Sequence, residues 1–234
     1  MDKQPFLAFE GKIHNWETIL ADHKHKERIR VMEHIYSNKF ISSFWKGDYV
    51  EANKWYDLAS AQQTFNLPKV QSIMCTYYRG LLCFRLYPDG QGESWLIEGK
   101  LVLGKMEIWA KNGCKAVFEN KLYLLEAGSY ASDGHIVAAK ESYELSAKVA
   151  HDHGLIHEVG LASEFYGHFL TSIVKLNEAN QWYLNAHTCY KQWGALGKVD
   201  QIAKEHNLAL PEEDSTLPFS SYKHDRSEVV SGLM

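Results

Sequence analysis

The chain has 234 residues, 45% of them hydrophobic, enough to bury a sizeable core as one large domain or two small ones. Its formal net charge of -4 excludes a nucleic-acid-binding role of the kind that rests on a basic face. Only Pro68 and Pro88 fall between Pro5 and Pro211, so few residues interrupt a helical chain.

Residues 1–10, a lead-in, offer at most a short strand. The opening "MDKQPFLAFEGK" lacks the basic start and long apolar run of a secretory signal. Ile35, Ile41, Phe44 and Trp45 predict a helix ending near Gly47. Trp95, Gly99, Leu103, Met106 and Ala110 predict another, closed by Asn112-Gly113. Ala139, Tyr143, Ala147 and Ala150 form a stripe before Gly154. Leu155, Val159, Ala162, Phe165, Tyr166, Phe169 and Ile173 form one after it. In "ANQWYLNAHTCYKQW" the apolar positions Ala179, Trp182, Tyr183, Ala186, Cys189, Tyr190 and Trp193 step alternately by three and four, which marks one helical face. Gly194 supplies the left-handed residue that ends this helix. Leu196, Val199, Ile202, Ala203 and His206 begin the next, and Trp193 is expected in the elbow between the two. No window alternates with period two, so the chain reads as roughly nine or ten helices joined by short Gly/Asn/Asp turns. One domain is expected over 11–210, followed by a mobile polar tail over 211–234.

The helices repeat. Ala139 and Tyr143 align with Ala179 and Tyr183, and Gly154 aligns with Gly194, each at a shift of 40. Glu119 and Leu122 align with Glu158 and Leu161 at a shift of 39. Helix pairs at a fixed period predict an all-α fold in which antiparallel pairs stack as an α-solenoid, right-handed and of roughly four to five units.

"GDYVEANKWYDLA" resembles the second half of a tetratricopeptide repeat, with Gly47, Ala52, Tyr56 and Ala59 at that motif's spacing. Gly134, Ala139 and Tyr143 fit the same pattern, with Ser146 where its last alanine belongs. Ala179, Tyr183 and Ala186 fit without the glycine, and Gly99, Leu103 and Met106 are a poor copy. The units exceed the usual period of about 34, so they are tetratricopeptide-like and diverged. Over residues 75–210, "WLIEGKLVLGKMEIWAKNG", "FENKLYLLEA", "AHDHGLIHEVGLASEFYGHFL" and "AHTCYKQWGALGKVDQI" resemble a helical region of large signalling proteins. There it lies between an AAA-type (STAND-like) ATPase module and a GAF or PAS sensor with a histidine kinase. The resemblance implies a connecting part, because the G-x-x-x-x-G-K-[ST] loop of the ATPase and the nucleotide boxes of a kinase are missing.

Candidate chemistry is sparse. His151, His153 and His157 form H-x-H-x3-H, but Gly154 interrupts the spacing, and no carboxylate or Cys completes a metal shell. His157-Glu158 has the first two residues of a histidine-kinase phosphoacceptor motif without the Arg and Pro that follow. "DGQGE" over 89–93 reads as a turn, with Glu93 and Ser94 opening a helix, not as a phosphate loop. "HKHKERIR" over 23–30 reads as a solvated helix face. No spacing argues for a Ser/His/Asp or Cys/His nucleophile. Cys75, Cys83, Cys114 and Cys189 form no C-x-x-C pair and read as free thiols of a reducing compartment. No stretch reaches the ~18 apolar residues of a membrane span.

The expectation is therefore a cytoplasmic, non-enzymatic scaffold without cofactor or metal. It would bind a protein partner or relay between adjacent ATPase and sensor or kinase domains, with no nucleic acid and no membrane insertion. The alternatives are a stand-alone tetratricopeptide-like adaptor for an extended peptide, and an enzyme with a cryptic site. The positions expected to carry the repeat are Gly47, Ala52, Tyr56, Ala59, Gly134, Ala139, Tyr143, Gly154, Ala179, Tyr183, Ala186, Tyr190, Trp193 and Gly194.

Overall fold

The computed structural model describes residues 25–61, 69–87, 92–113 and 115–209. The expected lead-in strand, the domain limits at 11 and 210, the tail over 211–234 and Cys114 lie outside them. All regular structure among the described residues is helical. The helices are α1 His25–Trp45, α2 Tyr49–Ser60, α3 Lys69–Leu86, α4 Glu93–Asn112, α5 Lys115–Ser132, α6 Ile136–Asp152, α7 Ile156–Ser172, α8 Leu176–Trp193 and α9 Leu196–Glu205. None is long and apolar enough to cross a membrane.

The joins explain the regularity. Gly134, Gly154, Val174 and Gly194 each have positive φ, at intervals of twenty residues. The amide after each donates to a carbonyl five residues back: His135 to Tyr130, Leu155 to Ala150, Lys175 to Leu170 and Ala195 to Tyr190, at 2.8–3.0 Å. Asp48 makes the same bond to Ser43 after Gly47. This six-residue closure is a Schellman motif, which satisfies the last carbonyls of one helix. The next helix begins two residues after the left-handed one, so the chain reverses at once. At the α1–α2 join Asp48 also caps α2, its carboxylate accepting from the Glu51 amide at 3.1 Å.

Each helix packs on its sequence neighbour. In addition α1 touches α3, α3 touches α5 and α5 touches α7, so the odd-numbered helices stand side by side. Small residues let them close up: the Phe84 ring on α3 fills the space over Gly99 of α4 and Gly128 of α5. Helices α3 and α7 are buried almost all round, from Tyr77 to Phe84 and from Glu158 to Gly167. The apolar stripe expected on α7 is thus only part of its buried surface.

The two ends of the array meet. Phe44 of α1 stacks on Phe165 of α7 at 6.0 Å and lies 4.9 Å from Tyr78 of α3. Trp45 lies 6.0 Å from Tyr190 and 5.3 Å from Trp193. Trp193 differs from expectation. It is 46% exposed, and its ring rests on Trp45 and, at 5.3 Å, on His157 of α7, because the opposite end of the array offers it aromatic surface.

One join carries strain. Val174 occupies the position that Gly134 holds one repeat earlier, with φ of 61°. A β-branched residue pays about 1–2 kcal/mol to adopt this conformation. Val174 is 78% exposed, so little packing offsets that cost. Val174→Gly is therefore expected to stabilise the protein by about 1 kcal/mol, raising Tm by about 2–4 °C. An unchanged or lower Tm in a thermal melt would show that this join is not held left-handed.

Candidate functional site

The repeat positions form the packing frame. Ala52, Ala139, Ala179 and Ala186 are fully buried, as are Tyr143, Tyr183 and Tyr190, while Tyr56 and Ala59 are partly exposed. Tyr143 stacks on Tyr166 at 5.1 Å, and forty residues on Tyr183 stacks on His206 at 3.5 Å. Ser146, standing where the motif has alanine, is buried and donates to the Asn120 carbonyl at 2.8 Å.

Between these positions the helices bury charge that the apolar stripes do not reveal. Glu158 of α7 accepts from the Tyr77 hydroxyl at 3.2 Å. The ammonium of Lys121 stands 3.0 Å from its other oxygen, close enough for an ion pair but off the line of a hydrogen bond. Six residues further along α7, Glu164 accepts from Lys198 of α9 at 2.7 Å and from the Tyr190 hydroxyl at 2.6 Å. Burial alone would raise the Glu164 pKa. Lys198 and His168 overcome that and hold it well below the usual carboxylate range. Arg79 of α3 grips Glu98 of α4 through two bonds of 2.7 Å and donates to Asn53 of α2 at 2.6 Å. Its guanidinium lies between the rings of Tyr56 and Trp95, at 4.3 and 4.8 Å. Each cluster ties together helices that are not all sequence neighbours.

Beside Glu164 the meeting ends leave a polar cleft of about 430 Å³. It is lined by Gly47 and Tyr49 at the α1–α2 join, Arg85 of α3, Glu164, His168, Thr171 and Ser172 of α7, Tyr183 of α8, and Glu205 and His206 at the end of α9. The Tyr183 hydroxyl is within 3.1 Å of both His168 Nδ1 and Thr171 Oγ1. Thr171 donates to the Gly167 carbonyl at 2.9 Å, and Ser172 to that of Phe169 at 2.7 Å. Burial, aided by the neighbouring His168, pushes the His206 pKa down to about 4, so the ring is neutral at pH 7. The thiols are pushed up by burial, to about 12 for Cys83 and about 11 for Cys75 and Cys189, and none is a thiolate at neutral pH. The Thr171 and Ser172 hydroxyls are engaged by backbone carbonyls, and that of Tyr183 by His168 and Thr171. The arrangement suits binding better than covalent chemistry.

The other candidates fall elsewhere. His151 is exposed at the end of α6, His153 lies in the following turn, and His157 stacks on Trp193. Among the described residues no group of three or more His, Cys, Asp or Glu side chains is placed to hold a metal. Gly92 has φ of 96° ahead of Glu93, the first residue of α4, and residues 88–91 lie outside the described ones. Sequence reasoning missed Glu164, Lys198 and Arg85, and read His206 only as part of the stripe that begins at Leu196. The one available signal was a helix, "IHEVGLASEFYGHFLTS", without Lys or Arg and with small residues on every side.

No protein-family model matches this chain, and no curated protein or solved structure matches it.

Removing Lys198 would leave the Glu164 carboxylate charged, buried and paired only with hydroxyl and imidazole groups. Lys198→Met is expected to cost about 3–5 kcal/mol in denaturant unfolding at pH 7. Adding Glu164→Gln should restore part of the loss, and equal stability of the single and double variants would refute the pairing. His206 sets a pH dependence. Its folded pKa of about 4 lies below the ordinary 6.5, so the unfolded chain binds the proton more tightly. Its contribution is complete above pH 6.5 and is lost as pH falls toward 4. It amounts to about 1–2 kcal/mol after solvent screening of a partly exposed ring. Melts of His206→Asn should show a flatter slope than the native chain between those pH values.

Proposed function

We propose that the chain is a non-catalytic helical-repeat scaffold of a signal-transduction protein, its antiparallel pairs stacked in a right-handed, tetratricopeptide-like array. The observation that carries this reading is the recurrent join. Five Schellman closures, four of them twenty residues apart, link consecutive helices, and α5 to α8 are each 17–18 residues long. The side contacts between odd-numbered helices fit such a stack. The resemblance of residues 75–210 to the helical connector of ATPase-linked sensor histidine kinases gives the array its job: contact between protein domains, in the cytoplasm.

The outer face of α4 offers a surface for that contact. Ile97, Leu101, Gly104 and Ile108 recur on one side of the helix, and the three side chains are 58–69% exposed. An apolar stripe this open is what an adjoining protein domain would cover. An adaptor holding an extended peptide between its inner helices is less favoured. Phe44, Tyr78 and Phe165 already fill the space where α1, α3 and α7 face one another.

The test is the size of the native protein in its source cells, blotted with an antibody against this chain, combined with cross-linking of the native and Leu101→Glu forms. A band far above 26.8 kDa, with a cross-link that Leu101→Glu abolishes, is expected for a relay between linked domains. A band near 26.8 kDa with a captured partner would favour the stand-alone adaptor. ATP turnover by the purified chain above background would overturn the non-catalytic reading.

A further inference from the structure

We propose that the cleft between the α1–α2 join, the end of α3 and helices α7 to α9 binds a small, singly charged organic carboxylate, gripped by the guanidinium of Arg85. The inference goes beyond the scaffold reading and stands without it.

Arg85 is the first ground. It lines the cleft near the end of α3, partly buried, and forms no ion pair with any described residue. Its Nε is buried without a hydrogen-bond partner, and its Cζ stands 5.3 Å from the centroid of the Tyr49 ring. The contrast with Arg79 is instructive, because that guanidinium meets a carboxylate through both arms of its fork. A cation withdrawn from water without a counter-charge is costly. The planar fork of arginine matches a carboxylate through two parallel bonds.

The cleft supplies the second ground. About 430 Å³ falls in the range of small-molecule sites, about 300–1,000 Å³. Five buried side-chain polar atoms lack a partner among the described residues, and two of them, Arg85 Nε and His206 Nε2, belong to residues lining this one cleft. Unsatisfied buried groups are uncommon in native proteins; these two atoms are shielded from the cleft itself, and it is the rest of each side chain that an occupant would meet. The rings of Tyr49, Tyr183 and His206 give that ligand an apolar body contact.

Charge balance sets the ligand class. Glu164 is already neutralised by Lys198. Glu205 accepts from Gln201 at 2.9 Å. With Lys198 and Arg85 set against Glu164 and Glu205, the formal charges around the cleft cancel, so a monoanion gripped by Arg85 disturbs the balance less than a dianion. A carboxylate therefore fits better than a phosphate monoester. The site joins Tyr49 near the start of the described array to Tyr183 and His206 at its end, so an occupant ties the two ends together and must raise the melting temperature.

The test is calorimetric titration and thermal melting of the full chain with acetate, propionate, benzoate, glycine and inorganic phosphate. Saturable one-site binding of at least one carboxylate is expected, with a rise in Tm. Arg85→Met should weaken it tenfold or more, and Arg85→Lys less. His206→Ala, on the opposite wall, should weaken it about three- to tenfold, and it keeps the proposal testable if Arg85→Met does not fold. Glycine binding tighter than acetate would support the carboxylate grip and assign the ammonium to Glu205. The proposal is overturned if no carboxylate binds, if phosphate binds more tightly than every carboxylate, or if folded Arg85→Met binds as well as the native chain.

Discussion

Two glycines on α7 set how closely α8 can approach. A Cβ at Gly160 would lie 2.6 Å from the Tyr190 ring, and one at Gly167 would lie 2.5 Å from the Tyr183 ring. Neither distance is tolerated by real side chains, so the backbone of α7 lies directly under two aromatic rings. The two contacts fix the register of an antiparallel pair, since Gly160 precedes Gly167 while Tyr190 follows Tyr183. With the register fixed, Asn185 of α8 reaches the Ser163 hydroxyl at 2.9 Å, and the Tyr190 hydroxyl reaches Glu164. Close packing thus comes first, and the polar contacts take the positions that it allows.

That approach also explains how α7 can carry two carboxylates in the interior. A helix buried on all sides has no solvent face for polar side chains, and an isolated buried carboxylate would neutralise itself by taking a proton. Neighbouring helices deliver a cation to each carboxylate, Lys121 from α5 to Glu158 and Lys198 from α9 to Glu164, and Glu164 is thereby held in its charged form. Such pairs add little net stability against apolar replacements, but breaking one is expensive. Their effect is to make the order of helices around α7 specific: α5 on one side, α9 on the other, with the wrong neighbour leaving a bare charge.

Much of the frame was legible in the sequence, for a local reason. The join at Gly194 and the stripe from Ala179 to Tyr190 depend on helical period and backbone conformation, both written in neighbouring residues. Val174 was harder to read, since nothing near a valine announces φ of 61°, and only its place in the repeat gives it away. The cleft was not legible at all. Arg85 and His206 are 121 positions apart, and each looks like an ordinary polar residue near a helix end. Glu164 and Lys198 are likewise joined only by tertiary packing. Trp193 continued its stripe correctly, yet its neighbours come from α1 and α7, which no local pattern could supply.

The position of the cleft follows from the same logic of repetition. Within the array small and aromatic residues recur at the contacts between helices, as where Tyr190 and Tyr183 lie over Gly160 and Gly167. Where the first described pair meets the last, the surfaces are not repeats of one another. Trp45 and Trp193 close one part of that junction as aromatic surface. The remainder is left to side chains from four helices and a turn that no common motif matches: Tyr49, Arg85, His168, Tyr183 and His206. Among the described residues Arg85 forms no ion pair and His206 Nε2 no hydrogen bond, and both residues stand at this junction. The junction of α1–α3 with α7–α9 is thus where local sequence pattern determines the side chains least, because its residues come from distant parts of the chain.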